Sequence, residues 1–336
     1  MALSVSEAVS DSFDWVKLTL FKRFSWKKWF VIGFSAFLAT LGKGGGSNGL
    51  SNVSRLADVG RAKGLPQFQQ WVMGHLGPII MIGSGIVLFV WGITILLQWL
   101  SSRGKFMFLY GVVKDRPLLA EPWNEYRKEG NSLFFFRLIL SAIAFVIILG
   151  LLILGVVVLL RHGWRSGGPH GAAVAGLIVG TCFVLLLALV FVVIMLVLED
   201  FIVPIMFLRR VKTKEAFGIF RSNVLTGRVG TLIIFYVLKF VLGLAAGIVM
   251  MVIILLTCCI SAIPYISSVV FLPVFYFFRC FPLFLLEQLG SEWRFFPEGW
   301  KDKVRMGAAA ARKEESPIGT DPGGGGPLPE GGPAQE

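Results

Sequence analysis

The chain has 336 residues, 55% hydrophobic and 15% charged, against roughly 45–50% and 25% in soluble domains. Thirty Phe and ten Trp are more than one or two soluble domains bury, so the composition argues against a water-soluble fold and for one that uses lipid as its interior. Lys and Arg total 32 against 20 Asp and Glu, a net charge of +12; the basic residues flank apolar runs, as Lys27 and Lys28 before Trp29 or Arg209 and Arg210 after Leu208, which marks topology rather than nucleic-acid binding.

The expected class is all-α: a polytopic membrane bundle of about six transmembrane helices with interfacial amphipathic helices. In chain order, Ser4 to Phe24 comes first, with Val5, Val9, Phe13, Val16, Leu20 and Phe24 at steps of three and four and Glu7, Asp11, Asp14 and Lys17 around the other side. This pattern predicts a helix lying in the membrane plane, and it lacks the apolar core and small-residue cleavage site of a signal peptide. A hydrocarbon core of about 30 Å needs roughly 20 apolar helical residues. The runs that qualify are Trp26 to Leu41, Gly77 to Leu100, Leu133 to Leu160, Ala173 to Val197, Gly230 to Thr257 and Ile266 to Leu289. The first is short unless Lys27 and Lys28 snorkel. Two further amphipathic stretches, Asp115 to Gly130 and Thr213 to Leu225, precede the third and fifth runs.

With the N-terminus inside, the cytoplasmic segments hold 23 of the 32 Lys and Arg, the outer loops hold six, and Arg137, Lys239 and Arg279 fall within spans. That bias puts both termini in the cytoplasm of a cell-membrane protein. The order surface helix, span, outer loop, span occurs three times, over residues 1–100, 101–198 and 199–298, which suggests parallel repeats around an axis along the bilayer normal. An acidic residue precedes an aromatic by five or six positions in each surface helix: Glu7 and Phe13, Glu121 and Tyr126, Glu215 and Phe220.

The outer loop Gly42 to Gln70 opens on a glycine-rich run in a non-P-loop context. Residues 299–336 turn charged and then Gly- and Pro-rich, the composition of a disordered cytoplasmic tail. Cys182, Cys258, Cys259 and Cys280 lie in or beside apolar runs and read as buried packing residues. The pairs Gly176 with Gly180 and Gly243 with Gly247 suggest close helix approach, within the bundle or in a homo-oligomer.

Charges inside spans cost about 2.5–3.5 kcal/mol each on insertion scales and so call for partners. Arg137, Glu199, Asp200, Lys239 and Arg279 form a candidate intramembrane polar cluster in the inner leaflet, with Pro204 as a helix break beside it. Either this cluster is an ion, proton or headgroup site, or it is a set of ion pairs that holds the helices together. The three histidines, His75, His162 and His170, fit no metal motif, and no catalytic or cofactor-binding pattern is present.

The stretch Leu198-Glu199-Asp200-Phe201-Ile202-Val203-Pro204-Ile205-Met206, followed by Lys214-Glu215-Ala216-Phe217, and the entry Gly130-Asn131-Ser132-Leu133-Phe134-Phe135-Phe136-Arg137-Leu138 resemble uncharacterised prokaryotic six-helix membrane proteins. These are similar to the membrane domain fused to some glycerophosphodiester phosphodiesterases. The resemblance implies an integral membrane protein without the catalytic domain. The expected function is a non-enzymatic scaffold or accessory protein at the bilayer, with the lipid bilayer, including anionic lipids at the cytoplasmic face, as partner, together with a second copy or another membrane protein. The alternative is a small transporter or channel that uses the charged cluster.

Overall fold

The computed structural model describes residues 3–22, 24–41, 76–163, 171–257, 263–304 and 306. Among them the regular structure is entirely helical. The elements are α1 (Val5–Val16), α2 (Trp26–Thr40), α3 (Leu76–Lys114), α4 (Ala120–Glu125), α5 (Arg127–Gly163), α6 (Gly171–Val197), α7 (Val203–Arg209), α8 (Thr213–Ile219), α9 (Val229–Leu256), α10 (Pro264–Val270) and α11 (Leu272–Glu287). Wide π turns extend α1 over Lys17–Lys22, join α6 to α7 over Leu198–Ile202, and extend α8 over Phe220–Leu225. The chain divides into two compact units, Met1–Phe296 and Pro297–Glu336. In the second, the described backbone begins with a short helical stretch over 300–304.

Four helices are long and apolar enough to cross a membrane: Met81–Lys114, Arg127–Gly155, Ile178–Arg209 and Val229–Leu256, with mean hydropathies of 2.0 to 3.3. At most 6% of their apolar windows lies inside the protein. Phe89, Leu149, Leu186 and Leu244 are all exposed, and a helix that is apolar all round without protein cover is one that belongs in lipid. The first and last expected spans take another form. The first is the 15-residue helix α2, about 22 Å long. The last is divided at Phe271 into α10 and α11, of seven and 16 residues.

Below the free rods lies a packed end. Residues 101–113 are all buried, as are 198–207 apart from Glu199 and 280–286. These three segments continue α3, α6 and α11, and α1, α2, α4 and α8 close around them. Helix α3 therefore runs 14 residues past Leu100, where the sequence pattern suggested a loop and a unit boundary. Helix α1 packs on α11, and α2 on α3 and α10, so the first and third sequence units interleave.

The small residues set these contacts. A Cβ on Gly104 would lie 2.7 Å from the backbone carbonyl carbon of Leu38, and one on Gly33 would lie 2.8 Å from Val269 Cγ2. By contrast, a Cβ on Gly176, Gly180, Gly243 or Gly247 meets nothing within 4 Å. The expected close packing at those two pairs is not found within the chain, because they sit on the free rods. Cys182 is exposed for the same reason, whereas Cys280 is buried. The face of α1 also differs from the expected one. Val5, Ala8, Ser12, Trp15 and Val16 are buried, while Phe13 and Phe24 are 58% and 48% exposed. Close helix contact selects small side chains, which leaves Phe13 to stack at the edge on Phe277, 4.5 Å between centroids.

Helix ends expose carbonyls that need donors. The carbonyl of Val112, near the end of α3, accepts from Trp15 Nε1 at 3.1 Å and from the Tyr276 hydroxyl at 2.9 Å. One step later Asp115 turns left-handed, φ 53°, and pairs with Lys28. Arg210 ends α7 in the same way, φ 57°, paired with Glu125 and lying 3.7 Å from the Tyr126 ring centroid. Burial holds that phenol above its ordinary pKa, with the Arg210 charge acting against the shift. At the other end of the core, Ser4 N–H donates to Gln288 Oε1 at 2.6 Å and Gln288 Nε2 donates to the Ser4 carbonyl at 2.8 Å.

Candidate functional site

The charged cluster forms where the π turn interrupts the α6–α7 helix. In this wide register Val203 N–H bonds the carbonyl of Leu198. The next donor in the same register would serve the Glu199 carbonyl, but that position is Pro204, which has no N–H. The Glu199 carbonyl is thereby released from the helix, and it accepts from Arg279 Nη1 of α11 at 2.8 Å. Pro204 thus sits at the start of α7 without the expected helix break. The adjacent wide turn absorbs the missing hydrogen bond, and the helix continues.

The side chains on either side of that carbonyl pair in opposite directions. Glu199 is ion-paired with Lys105 of α3, and Asp200 with Lys239 of α9. Lys105 and Asp200 are nearly closed off, with side chains 4% and 7% exposed. Glu199, Asp200, Lys239 and Arg279 therefore meet, as their sequence positions suggested, and Lys105 joins them. Arg137 stands apart: it is buried on α5 and donates from Nη1 to Ser102 Oγ of α3 at 3.3 Å.

These charges line one end of a hollow of about 380 Å³ that continues past Gly243, Ala246 and Met250 on α9 and Val274 and Phe278 on α11. A larger apolar cleft of about 880 Å³ between α1, α9 and α11 shares Ala246, Val274 and Phe278 with it. Three polar atoms at or beside the charged end are buried without hydrogen-bond partners: Nε and Nη2 of Arg279 and Oδ2 of Asp200.

A second polar layer was not legible as a site. Arg103 lies between the rings of Trp99 and Trp123, 4.5 and 4.8 Å from their centroids, and donates to Asn131 Oδ1 at 3.1 Å. Thr213 N–H donates to Ser132 Oγ at 3.1 Å, tying the start of α8 to α5. The signal for Lys105 and Arg103 was the apolar spacing Phe106, Leu109, Tyr110, Val113 that follows them, which is helical and leaves the two basic residues on a helix rather than in a loop. Glu287, which read as interfacial, accepts the backbone N–H groups of Phe295 and Phe296, both at 2.8 Å. Among the described residues no three His, Cys, Asp or Glu side chains gather as a metal set. His75, His170, Cys258, Cys259, the loop 42–70 and the tail beyond 306 lie outside the described residues, and so does the side chain of His162.

An all-helical chain with four span-length apolar rods and a packed end braced by buried ion pairs defines a membrane-type helical bundle. The chain belongs to the family of unknown function DUF7544, whose profile matches residues 3–291. No curated protein and no solved structure matches it. The family match carries no link to the membrane domain of glycerophosphodiester phosphodiesterases.

Proposed function

We propose that the protein is a multi-pass cell-membrane protein with both termini in the cytoplasm, and that it acts as a non-enzymatic scaffold or accessory protein at the bilayer. The packed end then lies at the inner leaflet and the cytoplasmic surface, with α1, α4 and α8 around it, where basic residues attract anionic lipid. On this reading α2 and the α10–α11 pair complete six membrane segments as short helices. The placement of both ends rests on the Lys and Arg distribution in the sequence.

The observation that carries the scaffold reading is direct pairing. Lys105 with Glu199, Lys239 with Asp200, and Arg279 with the Glu199 carbonyl tie α3, α9 and α11 to one π turn. A transporter or channel that uses the same charges draws support from the hollow they line. The two readings part on removal of one partner, because an uncompensated buried charge costs about 3–5 kcal/mol while loss of the whole pair costs much less. Asp200→Asn and Lys239→Gln, each alone, are expected to lower the yield of folded protein in detergent, and the double variant to regain most of it. A double variant that folds no better than either single one overturns the brace.

A further inference from the structure

The hollow at the brace has a polarity gradient and an unbalanced charge. Three cations, Lys105, Lys239 and Arg279, face two carboxylates, Glu199 and Asp200, at one end, which leaves one positive charge. Both carboxylates are already paired with lysines. The guanidinium of Arg279 uses only Nη1, on the Glu199 carbonyl, and its buried Nε and Nη2 have no partner. A guanidinium edge with two parallel N–H groups matches a phosphate or carboxylate. From Lys239 the hollow follows α9 through Gly243 and Ala246 to Met250, 11 residues or about 16 Å, and its wall there is apolar. The volume, about 380 Å³, lies in the range of small-ligand sites, about 300–1,000 Å³.

We propose that this hollow binds one anionic phospholipid of the inner leaflet. The phosphate lies against Nε and Nη2 of Arg279, and a hydroxyl of the headgroup donates to Asp200 Oδ2. One acyl chain follows α9 toward Met250. The gradient has the direction of a lipid in that leaflet: the charged end is near the start of α9 in the packed end, and the apolar end points along the free rod. The adjoining cleft by Leu242, Val249 and Phe277 takes the second chain. The proposal deepens the bilayer-accessory reading and rests on its placement of the packed end in the inner leaflet.

The test is native mass spectrometry of the full chain in detergent, with phosphatidylglycerol, phosphatidylcholine, oleate or inorganic phosphate added in separate arms. Phosphatidylglycerol is expected to give a one-to-one adduct that survives at least tenfold lower concentration than the phosphatidylcholine adduct, and neither oleate nor phosphate is expected to displace it. Arg279→Gln is expected to weaken the adduct at least tenfold. Gly243→Leu, at a position where a Cβ meets nothing within 4 Å, is expected to fill the hollow and abolish the adduct while the folded yield and the response to Asp200→Asn stay unchanged. Equal binding of phosphatidylcholine, displacement by oleate or phosphate, or an unweakened adduct in folded Gly243→Leu overturns the proposal. None of these outcomes bears on the brace, which the Asp200 and Lys239 variants test.

Discussion

Helix α3 has two halves of similar apolar character and opposite surroundings. Residues 81–96 carry Met81, Leu88, Phe89 and Trp91 with 59–74% of their surface exposed. Residues 106–113 carry Phe106, Leu109, Tyr110 and Val112, all at 1% or less. What changes between them is the stretch Ser101-Ser102-Arg103-Gly104-Lys105. Ser101 Oγ donates to the Ala39 carbonyl at 3.0 Å, Ser102 receives Arg137, Arg103 fills a Trp pair, Gly104 admits α2, and Lys105 reaches Glu199. Lipid makes no demand for close backbone approach or for polar partners, whereas protein packing makes both demands. The small and polar residues, more than the apolar ones, therefore distinguish the half that meets protein from the half that meets lipid.

The largest test of this contrast is a pair of Phe→Ala variants. Phe201 is fully buried, with ring contacts to Phe220, Phe235 and Tyr236, so Phe201→Ala is expected to cost about 3–5 kcal/mol in thermal or denaturant unfolding in detergent. Phe89→Ala on the free half is expected to stay within about 0.5 kcal/mol. Equal losses would show that the rods pack as tightly as the core. A smaller effect is expected at glycine. Gly104→Ala forces a Cβ against the Leu38 backbone and is expected to cost about 1–3 kcal/mol, while Gly180→Ala on a rod is expected to be neutral or to stabilise by up to about 1 kcal/mol. Smallest is Arg103→Lys, which keeps the charge but loses the planar fit between Trp99 and Trp123. A loss of about 0.5–2 kcal/mol in the same unfolding measurement is expected, and no change would reduce that sandwich to incidental contact.

The apolar runs made the rods legible, because nothing else in a sequence produces 20 uninterrupted apolar residues. The charges at Glu199, Asp200, Lys239 and Arg279 were legible as a group because each interrupts such a run and so needs a partner. The packed end was harder to read, since burial in protein and burial in lipid select the same side chains. Arg103 and Lys105 therefore marked a loop when they belong to a helix interior, and the missing partner of Glu199 was assigned no identity. Arg137 read as a cluster member from its depth alone, but depth fixes a level along the bundle and leaves direction around it open. The role of Pro204 required knowing that Val203 bonds Leu198, a register that no local pattern announces.

The clasp between Ser4 and Gln288 joins residues 284 positions apart. During synthesis the first helix to leave the ribosome cannot reach its seat on α11 until the last membrane segment has been made. Trp15 and its neighbours must wait, uncovered or chaperoned, while everything between them inserts. A nascent chain stopped before α11 would leave the N-terminal helix undocked, so completion of the fold also reports completion of translation.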